Sequence, residues 1–403
     1  MTIQHAVCCL QITLFLQLKI IIMNIGFDAK RAYHNGTGLG NYSRTLVTDL
    51  SILYPEHQYF LFNPKPSNRY TLQGANIHEV LPKKKLHQIF NFIWRSHWIK
   101  SDIIKKKIDL FHGLSHEIPT GLKKAGIKTV VTIHDLIFLR YPEQYNPIDI
   151  KIYTAKFKYA CKHADHIITV SQQTKDDVIH YFGTDSNKIT VCHISCDRSY
   201  QTTVSESEKL RVKKMLNLPD EYLLYVGSII ERKNLLGICE AMAMIKNEIR
   251  LPLVVIGRGK KYKEEVKALA KENGISDRLI FLSENENQSE DYISGSCFPA
   301  IYQNAKLFLY PSVFEGFGIP VLEALFSKTP VITSNISSLP EVGGNAAYYV
   351  NPENPSEIAE GIKKIINDEV FADKMRTEGL LQASQFTPEK CAASVMEVYK
   401  KIV

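Results

Sequence analysis

The chain has 403 residues, 45% hydrophobic and 23% charged, with a formal net charge of +7. That composition excludes a disordered or collagen-like chain, and the length suggests two domains with full cores. The charge is uneven: residues 1–197 hold 24 Lys and Arg against 15 Asp and Glu, residues 198–403 hold 25 against 27, so the first half is suited to meet something anionic, such as a membrane surface or a charged acceptor.

Residues 6–22 are apolar but broken by Gln11, Gln17 and Lys19. No basic n-region precedes them and no small-residue cleavage site follows, so they do not read as a signal peptide, and they would be a marginal membrane span. Met23 directly precedes Asn24-Ile-Gly-Phe-Asp28. Residues 1–22 are therefore expected to be an upstream extension, with a short membrane-contacting helix as the rival reading.

Strands are expected at Ile21–Phe27, Tyr59–Phe62, Leu110–His112, Lys128–Ile133, His166–Val170 and Ile189–Cys192. Helical patterns fall between them at Gly40–Leu53, Leu86–Ile108 and Ser171–Tyr181, the last with Ser171 as N-cap. Such alternation implies a parallel sheet covered on both faces. The run Gly36-Thr-Gly38-Leu-Gly40 has G-x-G-x-G spacing and begins too far after its strand to be a dinucleotide fingerprint. It opens a helix, so it is either a structural turn or a loop that offers N–H groups to a phosphate. Pro82–Ile108 mixes Lys83, Lys84, Lys85, Arg95, Lys100 and Lys105–Lys107 with Phe90, Phe92, Trp94 and Trp98. That mixture suits a membrane interface; the alternative is an amphipathic helix whose aromatics pack in the core. Thr132-Ile-His134-Asp135 ends a strand, which would aim His134 at an inter-domain cleft. A lone His is more often structural, and Asp135 would either orient its imidazole or cap the next helix.

Residues 199–220 are polar and end at Pro219-Asp220, which marks a linker between residues 23–198 and 221–386. Alternation restarts with strands at Tyr222–Val226, Leu253–Ile256, Leu279–Leu282, Leu307–Tyr310 and Pro330–Thr333, with helices near Leu235–Lys246, Lys261–Asn273, Pro320–Phe326 and Pro355–Asn367. The expected fold class is α/β: two doubly wound domains facing a cleft. Residues 387–403 form a terminal helix that packs back towards the first domain. Ligands in such sheets bind beyond the carboxyl ends of strands. Gly227-Ser-Ile-Ile-Glu-Arg232-Lys233-Asn234 follows one strand and places two cations where a phosphate would bind. Gly257-Arg-Gly259 is a second tight turn at a strand end, a weaker signal.

The densest stretch is Pro311-Ser-Val-Phe-Glu315-Gly316-Phe317-Gly318-Ile-Pro320-Val-Leu-Glu323-Ala-Leu325. It reads as acid, glycine turn, Pro-started helix, acid. Pro is favoured at a helix start, glycines admit close backbone approach, and a helix N-terminus attracts phosphate. Glu315 in the turn and Glu323 on the first helical turn would both reach hydroxyls of a phosphate-bearing ligand. The cysteines lack metal-ligand spacing and read as free thiols of a reducing cytoplasm. No Asp-x-Asp metal site accompanies the acids.

Gly36–Tyr42, Thr132–Leu136, Thr169–Ser171, Val226–Leu235, Pro311–Leu325 and Ser334–Asn345 recur in an order that resembles the family 4 retaining glycosyltransferases of the GT-B fold, over Met23 to about Lys401. The resemblance implies a nucleotide-sugar site in the second domain and an acceptor site in the first. Glu315 matches the acid on the donor sugar, Glu323 the acid on the ribose, and Arg232 and Lys233 the cations on the diphosphate. It places His134 near the transferred sugar, and Gly36, Gly38, Gly40, Gly227, Gly257, Gly316, Phe317 and Gly318 around the donor. Arg232-Lys233-Asn234 looks most like bacterial surface-polysaccharide enzymes, often mannosyltransferases. Two departures stand out: Ser283–Pro299 is longer and more polar than the usual link, Ser283 standing where Gly is common, and residues 1–22 have no counterpart.

The expected activity is transfer of a sugar, mannose among the candidates, from a nucleoside diphosphate to a glycan or lipid-linked acceptor hydroxyl in surface-polysaccharide biosynthesis, with the anomeric configuration kept. Arg232 and Lys233 are expected to do the work of a metal, with no separate cofactor. Glu315 is not assigned as a covalent nucleophile. Nucleic acid is not expected as a partner. The expected location is the cytoplasm, with peripheral contact at the inner face of the plasma membrane. A nucleotide-sugar epimerase of related architecture and a non-catalytic nucleotide-sugar-binding partner are the alternatives.

Overall fold

The computed structural model describes residues 22–284 and 289–403; the expected extension at 1–22 and the pair Cys8-Cys9 therefore lie almost wholly outside the described residues. Two parallel sheets carry the fold. The N-lobe sheet contains β1 (Asn24–Asp28), β2 (Gln58–Phe62), β3 (Ile77–Val80), β4 (Leu110–Gly113), β5 (Lys128–Ile133), β6 (His166–Thr169) and β7 (Ile189–Val191), in the order β3-β2-β1-β4-β5-β6-β7. The C-lobe sheet contains β8 (Leu223–Val226), β9 (Leu253–Ile256), β10 (Leu279–Phe281), β11 (Leu307–Tyr310), β12 (Val331–Ser334) and β13 (Tyr348–Val350), in the order β10-β9-β8-β11-β12-β13. Helices cover both faces, which is why central strands such as β9 and β11 are buried at every position and read as continuous apolar runs. The short strands β3 and β13 went unread in the sequence. Ile77-His-Glu-Val80 is a half-polar edge strand, and Tyr348-Tyr-Val350 is too short for a period.

Each sheet has one place where its order reverses: between β1 and β4 in the N-lobe, and between β8 and β11 in the C-lobe. Chain leaving the carboxyl ends of those neighbouring strands diverges to opposite faces and opens a crevice.

The expected linker at 199–220 is a structured part of the C-lobe. Ser205 caps a helix at Glu206–Leu216, accepting from the Glu208 N–H at 3.3 Å, and Asn217 ends it in the left-handed region with φ 51°. Val212, Leu216 and Leu218 are buried in the main core, and the helix packs against helix Phe298–Asn304. Its exposed face carries the Glu and Lys residues that made it read as a linker.

The chain crosses between lobes twice, near residue 198 and near residue 387. Arg198 clasps both crossings, meeting Asp49 at 2.9 Å and Glu389 at 2.6 Å. After the second crossing, helix Pro388–Ile402 lies on helix Gly38–Leu53, and Nδ1 of buried His112 on β4 lies 2.6 Å from the Tyr399 hydroxyl. Cys161, Cys192, Cys196, Cys239, Cys297 and Cys391 are buried and free.

Pro82–Ile108 is not one helix. It breaks into Lys85–Ile89, Asn91–Ile93, a wide turn at Trp94–Trp98 and Ile99–Lys105. The break sorts the aromatics. Trp94 is fully buried and donates its indole N–H to Asp102 at 2.8 Å, whereas Leu86, Ile89, Phe90 and Phe92 stay exposed beside Lys83, Lys84 and Lys85.

Candidate active site

The two loops leaving β8 and β11 are stitched together at the C-lobe turning point. The Val313 N–H donates to the Arg232 carbonyl at 2.8 Å, and the Ser312 hydroxyl oxygen lies 3.0 Å from the same oxygen. Asn234, in the left-handed region with φ 56°, ends the β8 loop and caps helix Leu235–Met244 by accepting from Gly237 N–H. The stitching brings Arg232, Lys233 and Glu315 into one cluster. Lys233 Nζ lies 2.6 Å from Glu315 Oε1 and Arg232 Nη1 lies 3.0 Å from it. Ser312 and Tyr310 hydroxyls donate to the same oxygen at 2.6 and 3.1 Å. Lys233 also donates to Tyr310, and Arg232 to the Phe314 carbonyl. Among the described residues every hydrogen bond and ion pair of the Glu315 carboxylate falls on Oε1 and none on Oε2.

Burial alone would raise the Glu315 carboxyl. The charges of Lys233 and Arg232, with hydrogen bonds from Lys233 and Ser312, overcome it and hold the group near 2, that is at about 2. Burial lowers Lys233, with Glu315 pulling the other way, and Glu315 outweighs burial at Arg232, which is raised. Arg232 and Lys233 meet on one buried carboxylate oxygen, with Asp135 also acting on both cations; fixed guanidinium and ammonium donors of this kind suit phosphate oxygens.

The glycines around it have separate physical reasons. A Cβ on Gly257 would stand 1.9 Å from the Gly227 carbonyl, so the turns after β8 and β9 can lie side by side only without one. Gly318 precedes helix Ile319–Phe326 at φ 111°, which L side chains rarely adopt. The helix therefore starts at Ile319, one residue before the expected Pro320, and Glu323 lies on its second turn rather than its first. Glu323 does not join the Glu315 cluster. It accepts from the Tyr302 hydroxyl at 2.9 Å, and burial pushes its carboxyl up to about 8, against that hydrogen bond and helped by Asp197. The Phe317 ring packs in the core against Phe386 and His193, so only its backbone borders the loop surface.

The N-lobe meets this loop directly. A Cβ on Gly316 would stand 2.3 Å from the His134 carbonyl. Ser171, the N-cap of helix Gln172–Phe182, donates to the Gly316 carbonyl at 2.6 Å, and Thr174 donates to the His134 carbonyl at 3.0 Å. The His134 ring places Nε2 2.9 Å from the Leu114 carbonyl. A carbonyl only accepts, so that nitrogen carries the proton and Nδ1 is left as an acceptor. Burial lowers the imidazole to about 4, opposed by the Leu114 bond and aided by Arg31. Asp135 does not orient it; its carboxylate accepts from the Ile137 N–H at 3.1 Å. The three loop glycines separate: an added Cβ on Gly38 would face Ile319 of the opposite lobe at 3.9 Å, on Gly36 it would meet Arg69 and Tyr70, and on Gly40 it would strike the Asn35 carbonyl at 1.9 Å. Packing against Asn35 therefore requires a glycine at position 40. Tyr310, Ser312, Thr174 and Ser338, whose hydroxyl lies within hydrogen-bond distance of the Glu315 and Phe317 carbonyls at 2.9 and 2.8 Å, escaped the sequence reading. Hydroxyl residues are too common for spacing to single them out. Among the described residues no group of three or more His, Cys, Asp or Glu side chains is arranged to hold a metal ion.

The family described as "Glycosyl transferases group 1" matches residues 206–382, and "Glycosyltransferase Family 4" matches residues 37–199. The chain belongs to the group 1 glycosyltransferases, and its two lobes have the GT-B fold. It is 29% identical over 397 residues to O-antigen chain mannosyltransferase B of Escherichia coli, covering 94% of this chain and 100% of that one. It is 28% identical over 305 residues to the serotype-specific mannosyltransferase WbdA of E. coli, covering 73% of this chain but only 36% of that longer protein. Sucrose-phosphate synthase from Thermosynechococcus elongatus shares the fold with a TM-score of 0.73 at 19% identity, over 94% of this chain and 98% of that one. Anabaena HepE, solved in complex with UDP and glucose, shares it with a TM-score of 0.68 at 16% identity, over 94% and 99%.

Proposed function

We propose that this protein transfers a hexose, with mannose the first candidate, from a nucleoside-diphosphate donor to a hydroxyl of a glycan or lipid-linked acceptor in surface-polysaccharide assembly, retaining the anomeric configuration. The observation that carries this reading is the convergence of Arg232, Lys233 and Glu315 at the C-lobe turning point. The donor diphosphate lies against Arg232, Lys233 and the N-terminus of helix Ile319–Phe326. Glu315 accepts a sugar hydroxyl through Oε2, and Glu323 accepts from the ribose. The barrier is set by negative charge growing on the leaving diphosphate while the sugar becomes cationic. Cations held in place beforehand stabilise that charge without reorganising, and losing one costs about 2.7–4 kcal/mol, roughly a hundred- to a thousandfold in rate. In this reading Arg232 and Lys233 do this without a metal ion. His134, neutral above about pH 4, offers Nδ1 to a hydroxyl of the transferred sugar.

Mannose is favoured by the names of the E. coli relatives; a nucleoside diphosphate is favoured by the UDP bound in HepE. We place the reaction at the cytoplasmic face of a membrane, because Leu86, Ile89, Phe90 and Phe92 are exposed next to Lys83–Lys85, an apolar patch edged with cations. No helix among the described residues is long and apolar enough to cross a membrane.

A panel of UDP- and GDP-sugars, followed by thermal shift and then by transfer to mannose-terminated primers, tests the reading. One donor is expected to stabilise the fold and to yield a product with retained configuration. Isomerisation of the donor alone would make the protein an epimerase, and tight donor binding with no turnover on any primer would make it a non-catalytic partner. Sedimentation with anionic vesicles at low salt, abolished in Phe90→Ser/Phe92→Ser, tests the surface; no sedimentation of the unaltered protein contradicts it.

A further inference from the structure

The N-lobe sheet has a turning point of its own, between β1 and β4, equivalent in topology to the one that gathers Arg232, Lys233 and Glu315 in the C-lobe. β1 ends at Asp28 and turns at Ala29 into the short helix Lys30–His34; β4 ends at Gly113 and runs on through His116 and Glu117. Four cations and two acids meet there. Arg95 takes both acids, with Nε 2.8 Å from Asp28 Oδ2 and Nη1 2.9 Å from Glu117 Oε2, and Lys156 adds a contact to Glu117 at 3.3 Å. The acids are then fully engaged, and Lys30 and Arg31 have no side-chain hydrogen bond or ion pair among the described residues.

Arg31 is unusual among the half-buried arginines of this lobe. Arg44 donates to the Ala32 and Asn35 carbonyls at 2.9 and 2.8 Å, and Arg95 is held by two carboxylates. Arg31 has neither kind of anchor. Its charge is felt at the cleft wall, where, after burial, it helps to lower the imidazoles of His116 and His134. The ammonium of Lys30 is lowered by burial and then by Arg95 and Arg31, with Glu117 and Asp28 opposing them more weakly. Arg31 is half-buried and Lys30 exposed at the rim; cations that outnumber the acids beside them are relieved by an anion, each charge-assisted hydrogen bond adding roughly ten- to a hundredfold in affinity.

We infer that this crevice binds an anionic group, phosphate or carboxylate, carried by the sugar acceptor, with Lys30 and Arg31 as its recognition residues. The inference rests on the transferase reading above and adds the chemical class of the acceptor. The donor diphosphate already has its own cations on the opposite lobe, and His134 at the end of β5 lies between the two crevices. The acceptor is then held by its charge on the N-lobe while its hydroxyl is offered across the cleft.

The test is calorimetry with the donor site filled by UDP or GDP. Three probes share one manno-configured ring: a neutral alkyl mannoside, mannose joined to the alkyl chain through a diphosphate, and the alkyl mannuronoside, whose C6 is a carboxylate. An anionic probe is expected to bind roughly tenfold or more tightly than the neutral one. Arg31→Gln and Lys30→Gln should bring it close to the neutral value, and Arg31→Lys should keep most of the preference. A diphosphate preferred to the uronate points to a lipid-linked carrier, and the reverse to an acidic glycan. Equal binding of all three probes to the unaltered protein overturns the inference, as does an undiminished preference in the Lys30→Gln/Arg31→Gln double variant. Weakened UDP or GDP binding in Arg31→Gln also overturns it, by assigning the cation to the donor. Binding is read without turnover, so a protein that prefers anions yet transfers nothing would contradict the transferase reading alone.

Discussion

The two lobes repeat one topology, yet they place their charge differently. In the C-lobe the turning point draws both cations and the acid from two short loops, Gly227–Asn234 and Pro311–Gly318, and locks them on one carboxylate oxygen. In the N-lobe the corresponding residues come from β1, from the loop after β4 and from Arg95 far along the chain, and two cations, Lys30 and Arg31, make no ion pair among the described residues. The C-lobe site is built in advance around its own acid, as suits a diphosphate whose charge must be stabilised during the reaction. In the N-lobe crevice Asp28 and Glu117 are taken up by Arg95 and Lys156, and Lys30 and Arg31 make no ion pair among the described residues, as suits a ligand that must arrive and leave.

The largest test of that contrast is at the locked cluster. Lys233→Ala and Glu315→Gln should each lower kcat roughly a hundred- to a thousandfold, with folding confirmed by circular dichroism. Wild-type-like turnover in either would remove the C-lobe from the chemistry. Gly316→Ala comes next. Its methyl would meet the His134 carbonyl at 2.3 Å and hold the lobes apart, and a misplacement of about 1 Å can cost about a hundredfold. Transfer should fall on that scale while nucleoside diphosphate binding to the C-lobe stays within a few fold; equal losses in both would show that the contact shapes the donor site instead.

Arg232, Lys233 and Glu315 were legible in the sequence because each lies within a few residues of a glycine turn and a strand end. Glu323 was visible as an acid, but its separation from Glu315 was not, since the helix begins one residue early and turns it towards Tyr302. The apparent linker at 199–220 was misread because its apolar residues, Val212 and Leu216, are spaced four apart among charges. Arg31 left no local signal at all. Its importance comes from Arg95 neutralising Asp28 and Glu117, a pairing across 67 positions that only the folded sheet reveals.

Acid and base should also separate the lobes. The N-lobe buries His112, lowered to about 3, and His134, lowered to about 4, both by burial first. Below about pH 6.5 the unfolded chain takes up protons that these rings refuse, so stability should fall as pH drops from about 6.5 towards 4. The C-lobe holds Glu323 at about 8. Between about pH 4.5 and 8 the folded state keeps a proton that the unfolded state has lost, so this group destabilises progressively as pH rises through that window. Melting of the ligand-free protein should therefore peak between these limits, and Glu323→Gln should raise Tm more at pH 8 than at pH 5. An equal shift at both would contradict the assignment. The smallest effect is expected at the crossing between lobes. Tyr399→Phe removes the bond to His112 Nδ1 and should cost about 0.5–1.5 kcal/mol in a denaturant titration, with donor affinity unchanged.

The most direct measurement compares the affinity of the nucleoside diphosphate with that of its parent nucleoside, for the unaltered protein and for Arg232→Ala and Lys233→Ala. The account predicts that the diphosphate gains strongly over the nucleoside in the unaltered protein and that each substitution removes most of this gain while leaving nucleoside binding intact. A gain that survives both substitutions would mean the diphosphate is held elsewhere, and the central claim would be wrong.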